Sequence, residues 1–245
     1  MKSIVKRRLW HPDAELGQRT LGIVEDIGSA IVSGEYPSGE ILPVEADLAQ
    51  KYQASRSVLR EAVKILSAKG LVTARRRKGT SVTPKTSWDL LDADVLRWIL
   101  MGDFSLPLLV EFTDIRLGIE PQAAAGAAER ADPVALAAIR VAFTRMHAAL
   151  RGDDDPLDSD ISFHLAILAA SGNRFINRLK HLIEAALLFS IRYTDDQTRT
   201  ADIKLARHER VLLAIESGDP EAAAAASRDL LIAARAVMVK GLTRG

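Results

Sequence analysis

The sequence contains no cysteine. Disulfides, thiolate metal sites and a cysteine nucleophile are therefore excluded, in keeping with a reducing compartment. No uninterrupted run of about 18 apolar residues exists, so no transmembrane helix is expected. The opening MKSIVKRRLW is basic, but the polar stretch HPDAELGQR follows it where a secretory signal would place an apolar segment. A cytoplasmic protein is expected. The patterns HExxH, GxSxG, the P-loop and GxGxxG are all missing, which leaves an enzyme reading without a recognisable reaction. What is present is ordinary globular composition: 245 residues, 48% hydrophobic and 27% charged, enough for two small domains that each bury a core.

The net charge of +1 conceals an uneven distribution. Residues 1–85 carry 15 Lys+Arg against 9 Asp+Glu, whereas residues 86–245 carry 18 against 23. A basic front joined to an acidic remainder points to a nucleic-acid-facing part with a partner of different work. The apolar period predicts a helix over 20–34 stopped by Gly34. Pro37, Gly39 and Pro43 then break the chain before a short helix over 44–52, a Gln53-Ala54 turn, and a longer helix over 56–69 capped by Ser55 and ended by Gly70. After Gly70 the period falls to two, so LVTA and TSVTP read as strands of a hairpin around RRRKG. From 105 onward only helices are expected, over about 105–130, 133–151, 157–171, 174–193, 200–217 and 220–241. The fold class is mainly α: a winged helix-turn-helix, then an all-helical bundle. The expected domains are a flexible arm over 1–18, a winged helix over 19–84, a linker and docking helix over 85–104, and a helical effector-binding and dimerisation domain over 105–245.

In a winged helix the second helix of the motif enters the major groove and the hairpin touches neighbouring backbone or minor groove. Val58, Ala62, Ile65 and Leu66 are expected to share the packed face of helix 56–69, while Arg56, Arg60 and Lys64 recur on another. Arginine at a helix start can fork onto guanine or a phosphate, and Ser55 and Ser57 can donate to phosphate. The hairpin supplies Arg75, Arg76, Arg77 and Lys78, then Gly79, which permits close backbone approach, and Thr80. One such unit reads few base pairs, so a homodimer on a pseudo-palindromic operator is expected.

Five histidines occur in the chain, at 11, 147, 164, 181 and 208. His164 lies four residues after Asp160, so on a helix both project from one face; His208 lies mid-helix in the 200–217 segment. Asp160, His164 and His208 can meet inside a bundle and hold a divalent ion; the set suits zinc, manganese, nickel or iron, and the ligand types alone do not decide which. The competing reading is a polar core cluster, and a metal-dependent hydrolase is a further alternative.

Residues 41–83 resemble the GntR family of bacterial transcription regulators: Leu42-Pro43-x-Glu45-x-x-Leu48-Ala49, Ser55-Arg56-x-x-Leu59-Arg60-Glu61-Ala62, Gly70-Leu71 and Gly79-x-x-Val82 follow its pattern nearly throughout. The resemblance implies operator contacts by Arg56, Arg60, Arg76, Lys78 and Gly79. Ala46 stands where many members carry arginine, so their operator sequences do not transfer. Arg116-x-x-x-Glu120-Pro121, Asp160-x-x-x-His164, Ser171-Gly172-Asn173, and His208 before Ala214-Ile215-x-x-Gly218-Asp219 resemble the FCD effector-binding domain of the fatty-acid-regulator (FadR) branch over about 105–240. The resemblance implies a metal on Asp160, His164 and His208. It also implies an effector carboxylate on Arg116, with Arg192 as a second anion contact. The family's usual third histidine is replaced by Leu230. Trp88-x-x-Leu91-Asp92-x-Asp94-Val95-Leu96-x-Trp98 is similar to galactonate-type and other sugar-acid regulators of this branch. The function implied is a ligand-responsive repressor released from its operator by a sugar acid, or by another small carboxylate.

Overall fold

The computed structural model describes residues 17–75, 79–102, 105–197 and 201–243. The arm with His11, and Arg76, Arg77 and Lys78 of the hairpin turn, lie outside the described residues. The chain forms two compact units, residues 1–104 and 105–245.

In the first unit, α1 (Gln18–Val32), α2 (Glu45–Tyr52) and α3 (Arg56–Ala68) precede an antiparallel hairpin of β1 (Val72–Arg75) and β2 (Gly79–Val82). Val72 pairs with Val82 and Arg75 with Gly79. Ser55 caps α3 through its hydroxyl, which accepts from Val58 N. A feature without a signal in the sequence is the segment around Ile41, which bridges to Ser81 and widens the hairpin into a small three-stranded wing base. The packed face of α3 is centred on Leu59, Ala62 and Leu66, all fully buried, and Val58 and Ile65 are only half-buried flanks. Ala62 and Leu66 lie on the expected face, but Leu59 joins them as its fully buried member in place of Val58 and Ile65.

Asp92 caps α4 (Ala93–Met101) by accepting from the Asp94 and Val95 amides. α4 belongs to the first unit's core through Val95 and Trp98. The Trp98 ring lies against Gly28, where a Cβ would sit 2.4 Å from it, and Trp98 Nε1 donates to Glu25 at 3.0 Å. Arg97 donates to the same carboxylate, and Lys69 spans Asp92 and Asp94. The segment after the wing is therefore bound into the winged helix by packing and charge together.

The second unit contains α5 (Leu106–Arg130), α6 (Pro133–Leu150), α7 (Pro156–Ala170), α8 (Arg174–Arg178), α9 (Lys180–Gln197), α10 (Ala201–Glu216) and α11 (Pro220–Leu242). Ser105, Asp132, Asp155 and Asp219 each cap a helix that has proline in its first turn. The single helix expected over 174–193 is two. Asn173 accepts from the Phe175 and Ile176 amides to start a short helix, and the Leu179 amide then bonds Ile176 O, a tightened turn after which the chain restarts. The restarted helix continues through Tyr193-Thr194-Asp195-Asp196 to Gln197; buried Leu187, Ile191 and Thr194 hold it where local composition reads as a break. No helix among the described residues is long and apolar enough to cross a membrane.

Candidate metal centre and nucleic-acid interface

In the first unit, Ser55, Arg56, Ser57, Arg60, Arg75 and Gly79 are exposed and Thr80 is half-buried. Ser55 Oγ and Ser57 Oγ lie 2.8 Å apart at the start of α3. Arg60 Nε donates to both oxygens of Glu45 at 3.2 and 3.3 Å, joining the two helices of the motif. This pair is open to solvent, so its strength is small and a phosphate or guanine can take its place. Arg56 and Arg60 at the start of α3 and Arg75 at the end of β1 are carried by the same unit.

In the second unit, one helical turn on α7 sets Asp160 and His164 on the same face, and α10 brings His208 to them. One ligand atom from each lies within 4.8 Å of the others, and all three residues are buried. The hydrogen bonds behind the rings define the tautomers. His208 Nδ1 is 2.8 Å from the carbonyl of Lys204, one turn earlier, so Nδ1 carries the proton and Nε2 presents a lone pair. His164 Nδ1 is 2.7 Å from Glu120 Oε2 on α5, which likewise turns Nε2 towards Asp160. Both Nε2 atoms stand 3.4 Å from Asp160 Oδ1. Phe163 meets both rings edge-on and fixes their planes.

The result is a buried cluster of acceptors. Both Asp160 oxygens and His208 Nε2 lack a partner in hydrogen-bonding geometry, although Lys204 Nζ lies 2.7 Å from Asp160 Oδ2 as an ion pair. Two imidazole lone pairs and a carboxylate aimed at one point, each ring held from behind by an oxygen, form the arrangement that a divalent cation satisfies. The donor set therefore fits the metal that the sequence implies. It supplies three protein ligands, and Leu230 on α11 lines the adjoining space.

Charge extends the site outwards. Arg116 and Glu120, one turn apart on α5, form a fully buried ion pair, Nε to Oε1 at 2.5 Å. Burial alone would raise the Glu120 pKa, but Arg116 and His164 outweigh it and hold the carboxyl down to about 2. Burial would lower the His164 pKa, and Glu120 and Asp160 instead push it up. Burial opposes ionisation of Asp160 too, yet His208 and Lys204 keep it well below the usual carboxylate range.

A cavity of ≈ 40 Å³ opens on this cluster, lined by Arg116, Asp160, His164 and His208 together with Ser190, Thr194 and Lys204 and the apolar Leu187, Ile191, Leu230, Leu231 and Ala234. Arg116 Nη1 reaches Ser190 Oγ at 3.5 Å. Arg192, expected as a second anion contact, is half-buried on α9 and is not among the lining residues. Three contributors went unrecognised in the sequence. Glu120 stands in the sequence only as part of the Arg116-x-x-x-Glu120-Pro121 pattern, whereas Lys204 repeats the four-residue spacing ahead of His208 that Asp160 has ahead of His164. Ser190 carries no sequence signal.

Comparison with known proteins gives a consistent picture. The family described as bacterial regulatory proteins, gntR family, matches residues 19–82, and the FCD domain matches residues 111–233. The chain is 32% identical over 215 residues to the galactonate operon transcriptional repressor of Escherichia coli, covering 87% of this chain and 93% of that protein. It is 33% identical over 214 residues to the uncharacterized HTH-type transcriptional regulator YieP of the same organism, covering 85% and 90%. Among solved structures, Lar, which controls expression of the Listeria monocytogenes agr system, aligns with a TM-score of 0.58 at 19% identity over 92% of this chain and 99% of that one. Streptococcus agalactiae GntR aligns at 0.50 and 23%, over 89% and 99%.

Proposed function

From the premise that this chain belongs to the GntR family of bacterial regulators and carries an FCD domain, we propose that it is a metal-dependent, ligand-responsive repressor released from its operator by a small sugar acid. The family and its relatives are transcription regulators, not enzymes, and the chain is a DNA-binding transcription regulator of this type. The observation that carries the finer reading is the buried Asp160, His164 and His208 triad, with ligand atoms within 4.8 Å of one another, beside a cavity with an arginine on its wall. A divalent ion on Asp160, His164 and His208 would supply Lewis acidity and open coordination positions for a carboxylate and a neighbouring hydroxyl. Arg116 would pair with that carboxylate at the cavity wall, and Ser190 would accept or donate to a hydroxyl. The galactonate repressor named above supports a sugar acid of about six carbons as effector. At ≈ 40 Å³ the cavity is smaller than the roughly 150 Å³ that accommodates benzene, so such a ligand would fill it and extend beyond it. An effector bound there shifts a conformational equilibrium only by its difference in affinity for the two states.

As a homodimer the protein would read a pseudo-palindromic operator with two copies of α3. Arg56→Ala and Arg60→Ala are each expected to weaken operator binding by about 1–3 kcal/mol if they read bases. Operator titration at fixed salt checks this, and unchanged affinity in both variants removes α3 as the reading helix. Charge removal at Arg76 and Lys78, outside the described residues, is expected to reduce the salt dependence instead.

Metal binding is expected to strengthen as pH rises. His164 has its pKa pushed up from 6.5; in the metal-free protein its proton therefore stabilises the fold below that ordinary value and is lost as pH rises through the raised one. A ligand histidine must be neutral, so that proton competes with the metal. Zinc affinity measured at pH 6 and pH 8 should be weaker at pH 6; equal affinities contradict ligation by His164.

A further inference from the structure

The cation already facing Asp160 belongs to the protein. Lys204 sits on α10 one turn before His208, its carbonyl accepting from His208 Nδ1 while its ammonium reaches across to Asp160 Oδ2 at 2.7 Å. The same residue thus orients one metal ligand through its backbone and neutralises another through its side chain. Its ammonium is also part of the cavity wall. Unlike Asp160 and His208, which are each 2% exposed at the side chain, Lys204 is 28% exposed, so its four-carbon stem has a route to solvent. A divalent ion held by Asp160 would lie within a few ångströms of that ammonium, and like charges at such range in a buried site repel strongly.

We propose that Lys204 is a resident cation that competes with the metal for Asp160, keeps the metal-free cluster neutralised, and withdraws when the ion enters. The proposal rests on the metal reading of the triad. It gives Lys204 a positioning and affinity-setting role without making it a ligand. The cluster then has two alternative cations, one built in and one taken up, and the affinity for the second is lowered by the cost of releasing the first. Three protein ligands with an internal competitor make a site whose metal affinity lies below that of the same ligands without it.

The test compares wild-type protein with Lys204→Met and Lys204→Arg, using zinc and manganese chlorides alone in competition with a chromophoric chelator. Lys204→Met removes the competitor and preserves stem packing, so its metal affinity is expected to rise by at least about tenfold, which is 1.4 kcal/mol. Its metal-free melting temperature should fall while the increase on adding zinc becomes larger. Lys204→Arg keeps a cation and should keep the weaker affinity. Unchanged or weaker affinity in Lys204→Met, with binding measurable in both proteins, overturns the role of Lys204 and leaves the metal reading standing. Absence of binding in both overturns the two together. Should Lys204→Met fail to fold, amine labelling of wild-type protein followed by peptide mass spectrometry answers the same question. Zinc loading should increase labelling of Lys204, and unchanged or reduced labelling overturns its withdrawal.

Discussion

Replacing Glu120 by glutamine is expected to destabilise the metal-free protein by about 3–5 kcal/mol, the cost of removing one partner of a buried ion pair. Arg116 and Glu120 are each 3% exposed, so solvent cannot take over the charge that the guanidinium loses. The same carboxylate accepts from His164 Nδ1 at 2.7 Å. With an amide in its place the ring is left with a neutral acceptor at best in place of the carboxylate, and metal affinity is expected to fall by about 10–100-fold. Denaturant unfolding of the metal-free variant reads the first effect and chelator competition the second. A loss below about 1 kcal/mol would mean that Arg116 finds another counter-ion, with Ser190 and the cavity as its surroundings. The pH dependence follows from the lowered pKa: Glu120 stabilises the fold above the ordinary value of 4.5, and that contribution disappears as pH falls towards about 2.

His164→Ala and His208→Ala are expected to abolish metal binding while the helical unit stays folded. Each leaves two protein ligands, too few to compete with solvent for the ion. The readout is the rise in melting temperature on adding metal. A protein with metal at a thousand times its dissociation constant gains about 4.1 kcal/mol, and a variant that no longer binds gains none. Elemental analysis of protein purified without chelator should agree. The outcome that identifies the triad as a polar core cluster is wild-type protein free of metal whose stability and ligand affinity do not respond to added metal.

The parts of this molecule that were legible in the sequence are those governed by local chemistry. Ser55, Asp132, Asp155 and Asp219 cap helices that start where capping side chains and prolines place them. The four-residue step from Asp160 to His164 fixes a shared face whatever surrounds it. What depends on long-range contact was less visible. Ile41 pairs with Ser81 across forty residues, with no periodicity to announce it. The burial of Leu59 in place of Val58 and Ile65 is set by the core that α3 joins, which includes Ile27 and Ile31 of α1 and Leu71. The break at Leu179 arises from a single tightened turn inside otherwise helical composition. Glu120 behind His164 and Lys204 in front of Asp160 were hidden for the same reason: ordinary charged residues on helices become part of a site only through what the fold sets opposite them.

The metal and effector binding proposed for the second unit would act on DNA only through a difference in affinity between two states, and such a difference is reciprocal. Operator affinity should therefore be measured for metal-free protein, for metal-loaded protein, and for each with a six-carbon sugar acid such as galactonate. The account predicts that the acid weakens operator binding only in the metal-loaded protein, and that operator weakens acid binding there by the same factor. Metal-loaded protein whose operator affinity is unchanged by the acid, or metal-free protein that responds equally well, would contradict it.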